Sequence, residues 1–270
     1  MPRIRAIAVA VTTVSMLAVP AAATPLPGAR SHRPGLEAPR EREIAMELVS
    51  SAENSTLNWR REYGYIQDIG DGRGYTAGLI GFCSGTGDML ALVRSYVRAE
   101  PLDPLARFLP ALRQVDGTAS HRGLGRPFVR AWRLAAHDQV FRRMQLRELD
   151  RVYFDPAVRR AKRDGLSTLG QFIYYDAIVM HGPGDGYASF GGIRRRAMER
   201  ARTPAQGGSQ VRYLNAFLDV RRALMKRQRG HHNTSRIDDE QRVFLRERKF
   251  ALRPPLIWHT YGDRYEIRAH

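Results

Sequence analysis

The segment that most constrains the fold is residues 166–180, where Leu169, Phe172, Ile173, Ala177, Ile178 and Val179 put apolar side chains on almost every side of one helix. Such a helix has no polar face to offer water, so it must lie at the centre of a body built from other helices. Asp176 sits inside it. An ionised carboxylate there is costly unless it is paired and hydrogen-bonded, so the fold must bring a cation to it. Arginine is the natural partner. Arg221 and Arg236 are candidates among many arginines, and a purely structural salt bridge is the simpler alternative.

Around that helix the periodicity is mostly helical. Ile44, Leu48, Val49 and Ala52 recur at helical spacing from Pro39, and this helix closes at Glu53 and Asn54. Similar patterns predict helices from Thr86, from Pro104, over 128–144, near 192–202, over 210–228 and over 238–245, followed by an irregular tail. Between Trp59 and Cys83 the period shortens, and Tyr, Ile and Gly become frequent. The run Gly70, Asp71, Gly72, Arg73, Gly74 there predicts a turn between two short strands of a small sheet. The expectation is a mainly α (α+β) protein with a small β-sheet, its two lobes joined by the long central helix.

Near the N-terminus, Arg3 and Arg5 precede an apolar run over 6–19 that ends in Pro20 and three alanines. That run is shorter than the roughly 20 residues a span requires, and Ala21 and Ala23 suit signal peptidase. Residues 1–23 are therefore expected to be a signal peptide, 24–39 a disordered leader rich in Pro, Gly and Arg, and 40–270 one domain of two lobes. A secreted, extracellular monomer is expected, with no membrane association after signal cleavage. The lone Cys83 excludes an internal disulfide and reads as a small buried apolar residue.

Several chemistries are excluded by what the motifs lack. The glycines over 70–87 have no Gly-Lys-Ser/Thr at phosphate-loop spacing. Paired metal-ligand spacings are missing, His231 and His232 being an isolated doublet, and Ser84 lacks the spacing of a nucleophile elbow. No metal and no cofactor is expected. Two carboxylates remain in unusual settings. Glu53 ends an apolar helix face, where neighbouring apolar groups favour the protonated form that a general acid needs. Asp71, between two glycines, is wet and ionised, which suits activation of water. A helix-end Glu and a turn Asp without function are the plainer alternatives.

Charge distribution points to the same region. Residues 40–90 hold eight acids and five arginines, a net of −3, whereas the chain carries +17, so the remainder carries +20. A cationic substrate would be received at the acidic segment. Three further runs carry a family resemblance: EIAMELVSSAEN over 43–54, DIGDGRGYT over 68–76 and GFCSGTGD over 81–88. With RVYFDP at 151–156, YYDAIVMHG at 174–182, ARTPAQGG at 201–208 and PPLIW at 254–258, they closely resemble bacterial chitosanases of glycoside hydrolase family 46, over nearly all of 40–262.

The resemblance implies a lysozyme-like, two-lobed helical fold with a cleft between the lobes, and hydrolysis of β-1,4 bonds in chitosan with inversion. It implies Glu53 as acid, Asp71 as base and Thr76 as a holder of the attacking water. Tyr65, Asp68 and Arg73 would line the cleft, and Asp88 would meet substrate ammonium groups. Asp176, Arg221 and Arg236 would form a buried charge network supporting Glu53. Chitosan is then the partner, and no nucleic acid is expected. The loop over 228–233 carries no acid where similar members tend to carry acidic cleft residues. Two other functions fit the composition: a lysozyme-like hydrolase of another cell-wall polysaccharide, and a cationic module that binds polyanions.

Overall fold

The computed structural model describes residues 35–227 and 233–269. The expected signal peptide, the leader up to residue 34 and loop residues 228–232 lie outside them. The leader boundary itself is corrected. Leu36 is fully buried and its amide donates to Gln171 Oε1 at 2.9 Å, so ordered chain begins before Pro39.

Helix α1 (Pro39–Asn54) starts with proline at its first position, where the missing amide costs nothing. It buries Ile44, Leu48 and Ala52, and it ends where Ser55 turns left-handed. Antiparallel strands β1 (Ile66–Asp68), β2 (Tyr75–Ala77) and β3 (Phe82–Cys83) follow, with Asp68 opposite Tyr75 and Thr76 opposite Cys83. The β1–β2 turn carries Asp71, and Gly70, Gly72 and Gly74 all adopt positive φ, a backbone that glycine takes without strain. Helices α2 (Asp88–Ala99), α3 (Leu109–Val115), α4 (Arg126–Ala135) and α5 (Gln139–Leu149) come next. The single helix expected over 128–144 is thus two, because Asp138 leaves the helix and its carboxylate accepts from the Val140 amide at 2.7 Å, capping α5.

A wide turn over Asp150–Phe154 leads into α6 (Asp155–Arg163), α7 (Thr168–His181), α8 (Phe190–Arg200) and α9 (Gln210–Arg227). After a second wide turn, Arg236–Gln241, come α10 (Arg242–Arg246) and a hairpin of β4 (Leu256–Thr260) and β5 (Asp263–Ile267). That hairpin corrects the expected irregular tail. Leu256, Trp258 and Thr260 alternate inward, and Tyr261 and Gly262, both at positive φ, close a two-residue turn. Buried Trp258 donates to Ser51 Oγ at 3.0 Å, which fastens the hairpin to the last turns of α1.

Two cores support two lobes. One gathers Ile66, Phe82, Met89, Val93, Phe128, Trp132 and Phe141, while the other is built on α1, α7 and α9 with Leu149 and Phe154. Helix α7 lies entirely within the second core, as its all-round apolarity requires. It does not join the lobes. That role falls to α5, whose Phe141 belongs to the first core and whose Leu149 belongs to the second.

Candidate active site

A cavity of about 540 Å³ opens where α1 meets the β1–β2–β3 sheet and α7. Met46, Val49, Ser50 and Glu53 come from α1, Tyr65 and Ile69 from either side of β1, Thr76 from β2, and Tyr175 and Val179 from α7. Glu53 and Glu62 are the charged side chains of its lining. Ser50, Asn54 and Thr76 add neutral polar groups, and most of the remaining lining is aromatic or aliphatic, which suits the apolar faces of sugar rings; the charge of the described lining is negative.

Glu53 sits there because α1 runs to Asn54 before the chain turns. Its surroundings differ from the apolar helix end expected. The side chain is 40% exposed, and Oε1 accepts from Arg236 Nη1 at 2.7 Å. Arg236 also reaches Asp176 Oδ1 at 2.6 Å, and Arg221 Nη2 reaches Asp176 Oδ2 at 2.7 Å. The cation demanded by Asp176 is therefore supplied by both candidate arginines, one each from α9 and the second wide turn. Burial by itself would raise the Asp176 carboxyl, but the charges of Arg236 and Arg221 outweigh it and hold the group at about 2. Burial works against the charged form of Arg236 too, yet Asp176 and Glu53 together raise its affinity for the proton.

Two members of this network were not legible in the sequence. Gln241 donates to Asp176 Oδ2 at 2.6 Å and accepts from Arg221 Nη1 at 3.0 Å, and a neutral amide gives no charge pattern to find. Glu240 is fully buried beside it. An acid next to a predicted helix face looks like a solvated residue until tertiary packing covers it.

The structure places Thr76 and Tyr65 in the cavity wall. Thr76 is buried, its hydroxyl 3.6 Å from Cys83 Sγ, and Cys83 is buried as expected. Asp71 is not brought into that wall. It is exposed at the β1–β2 turn, where Arg73 grips it through Nε at 2.9 Å, Nη2 at 2.6 Å and its own amide at 3.0 Å. Those bonds, led by the guanidinium, lower the Asp71 carboxyl.

Asp68 accepts from the Gly70 amide at 2.8 Å, which shapes the same turn. His121 Nε2 lies 3.5 Å from Asp68 Oδ2, a charge-range approach rather than a hydrogen bond. Asp88 is occupied differently from the substrate-facing role expected of it. Its Oδ1 accepts from the Cys83 amide, the Thr86 hydroxyl and the Met89 amide at 3.0, 2.7 and 2.9 Å, tying β3 to the start of α2. Only Oδ2 is left for a ligand.

Among the described residues no cluster of His, Cys, Asp or Glu could hold a metal ion, and no helix is long and apolar enough to cross a membrane. Residues 47–256 match the model of glycosyl hydrolase family 46. The chain belongs to that family. It is 63% identical over 235 residues to a chitosanase of Streptomyces sp. strain N174, covering 87% of this chain and 84% of that one. A chitosanase of Bacillus subtilis strain 168 is 33% identical over 239 residues, covering 83% of each.

Among solved structures, the family-46 chitosanase of Gynuella sunshinyii in complex with chitotetraose superposes with a TM-score of 0.74 at 32% identity, covering 85% of this chain and 98% of that one. A co-crystal structure of a chitosanase with substrate gives a TM-score of 0.80 at 54% identity, covering 87% and 99%. This family-46 chain is accordingly a glycoside hydrolase with the two-lobed helical fold of those chitosanases.

Proposed function

We propose that this family-46 hydrolase is an endo-acting chitosanase that cleaves β-1,4 bonds with inversion, using Glu53 as general acid and Asp71 as general base. The observation that carries the reading is Glu53 itself, a carboxyl in a sugar-sized cavity whose described lining holds no cation, anchored from behind by a buried Asp176–arginine network. The likeness to relatives named chitosanases, one of them solved with chitotetraose, supports chitosan as substrate.

The anchoring leaves a division of labour between the two oxygens of Glu53. Oε1 is held by Arg236, while Oε2 accepts no hydrogen bond from the described residues and can carry the proton to the leaving oxygen. Arg73 keeps Asp71 ionised, the state from which a base removes a proton from water. Inversion requires room for that water, with carboxyls about 6.5–9.5 Å apart when substrate is bound. Thr76, on the strand that follows the Asp71 turn, would hold the water. Tyr65, Asp68, Arg73 and the free oxygen of Asp88 would contact the sugar. The N-terminal run over 6–19 supports secretion, after which the enzyme would act outside the cell as a monomer.

The deciding experiment is Glu53→Gln assayed on soluble chitosan, with folding checked by circular dichroism. Release of reducing ends should fall by at least about a thousandfold, since the amide keeps the shape and cannot donate the proton. Activity within tenfold of wild type would remove Glu53 from the reaction. Proton NMR of the first product resolves the stereochemistry, because inversion of a β-linkage yields the α-anomer first.

A further inference from the structure

The network contains one carboxyl that the mechanism above leaves without a task. Glu240 lies four positions after Arg236 in the same wide turn and is fully buried; among the described residues neither of its oxygens meets a donor at hydrogen-bond geometry, the neighbouring Gln241 amide being given to Asp176. The Nε atoms of Arg221 and Arg236, both buried, are likewise without partners among the described residues. Packing a carboxyl into such a place is expensive in either form unless something nearby needs it.

The charge inventory identifies that need. Arg221 and Arg236 bring two positive charges into a region removed from water, and Asp176 returns one negative charge. One positive charge is left over, and two carboxyls can balance it: Glu53 at the wet end and Glu240 at the dry end. With Glu53 ionised the balance is complete, and an ionised Glu240 would face Asp176 with nothing to gain. When Glu53 is protonated, as a general acid must be, the surplus returns and only Glu240 is left to cancel it.

We propose that Glu240 is a positioning residue that shares one proton with Glu53 across Arg236, so that the cluster keeps a constant charge while Glu53 loads its proton. Glu53 takes that proton from solvent and Glu240 gives one up to solvent, so the cluster holds one proton before and after. The idea rests on Glu53 being the acid. Burial and then the neighbouring Asp176 push the Glu240 carboxyl well above the ordinary range, consistent with a group that is neutral whenever Glu53 is charged. The charged groups around Glu240 are Asp176 on α7, Arg221 on α9 and Arg236 on its own turn. Strand β4, packed against that turn, points Leu256, Trp258 and Thr260 inward, and Arg242 of α10 is committed to Asp219 and Asp238.

Glu240→Gln locks the dry end in its neutral form while preserving shape. Protonating Glu53 then leaves an uncompensated buried charge, so the basic limb of the kcat/KM profile should move to lower pH. An opposite charge at close range is commonly worth about 1–3 pH units. A shift of at least about one unit is expected, a tenfold loss at pH values just above the wild-type limb. Glu240→Asp, which restores the charge, should recover most of it. A merely structural Glu240 would lower the melting temperature and leave the limb in place, and superimposable profiles would overturn the proposal.

Carboxyl carbon NMR of the folded wild type and of Glu53→Gln gives a reading that does not depend on the Glu240 variants folding. Making Glu53 permanently neutral should move the Glu240 titration to lower pH, and an unmoved titration would overturn the coupling. If Glu53→Gln keeps its activity, the acid assignment fails by itself. If that variant is inactive but the Glu240 signal and profile do not move, only the shared proton fails.

Discussion

Replacing Arg236 with alanine tests whether the network holds the fold together as well as the catalytic carboxyl. Arg236 is 4% exposed and meets two acids of different burial, Asp176 at 1% and Glu53 at 40% exposed. Breaking a buried pair costs about 3–5 kcal/mol because the abandoned charge cannot be resolvated. Asp176 would keep Arg221 and Gln241 as partners at 2.7 and 2.6 Å, which places the loss at the lower end, about 3 kcal/mol. The half-exposed Glu53 pair adds at most about 1 kcal/mol. Urea unfolding followed by circular dichroism should therefore show a loss of about 3–4 kcal/mol at unchanged slope.

The exposed pair Arg159 and Asp155 provides the control. With side chains 58% and 48% exposed, Arg159→Ala should change stability by less than about 0.5 kcal/mol. A double-mutant cycle between Arg236→Ala and Asp176→Asn should return a coupling of about 0.5–3 kcal/mol. Additive losses, or an Arg236→Ala protein as stable as the Arg159→Ala control, would refute the reasoning. Turnover should fall as well, because the anchor of Glu53 Oε1 is gone.

Asp71→Asn should reduce turnover on chitosan by at least about a hundredfold, with a urea midpoint close to that of wild type, because the turn carboxylate is exposed. Asp88→Ala should raise the Michaelis constant and also cost about 1–2 kcal/mol of stability, since its Oδ1 ties the Cys83 and Met89 amides at the start of α2. Unchanged stability would mean those bonds are dispensable. Stability should depend on pH in two opposite ways. The lowered Asp176 carboxyl contributes stability that is present above its unfolded value near 3.8 and lost as pH falls toward about 2, a loss that Asp176→Asn should not show. The raised Glu240 carboxyl acts the other way. Its contribution is present below 4.5 and is lost as pH rises, so Glu240→Gln should unfold at a higher urea midpoint relative to wild type as pH increases above 4.5. Parallel pH curves for the two proteins would contradict this.

Local pattern by itself determined much of this protein. The apolar girth of 166–180 required a central helix, and Asp176 within it required buried cations, because neither requirement depends on which neighbours the fold supplies. The glycines around Asp71 required a turn, since their positive φ values suit residues without a side chain. The long matching runs were enough to place the chain in its family. Tertiary structure decided the rest. The lobes are joined by α5 rather than by α7, which depends on where each end of an ordinary amphipathic helix finds its core. The alternation in β4 and the Tyr261–Gly262 turn were visible signals of the final hairpin, but which face would be covered was settled by Trp258 docking on Ser51. Glu53 came to face a guanidinium instead of an apolar wall, and Asp71 came to be held by Arg73, through side-chain choices that periodicity does not encode. Glu240 makes the point most clearly: in sequence it is one acid among several on a charged helix, and burial among two arginines and an aspartate is what gives its proton a consequence.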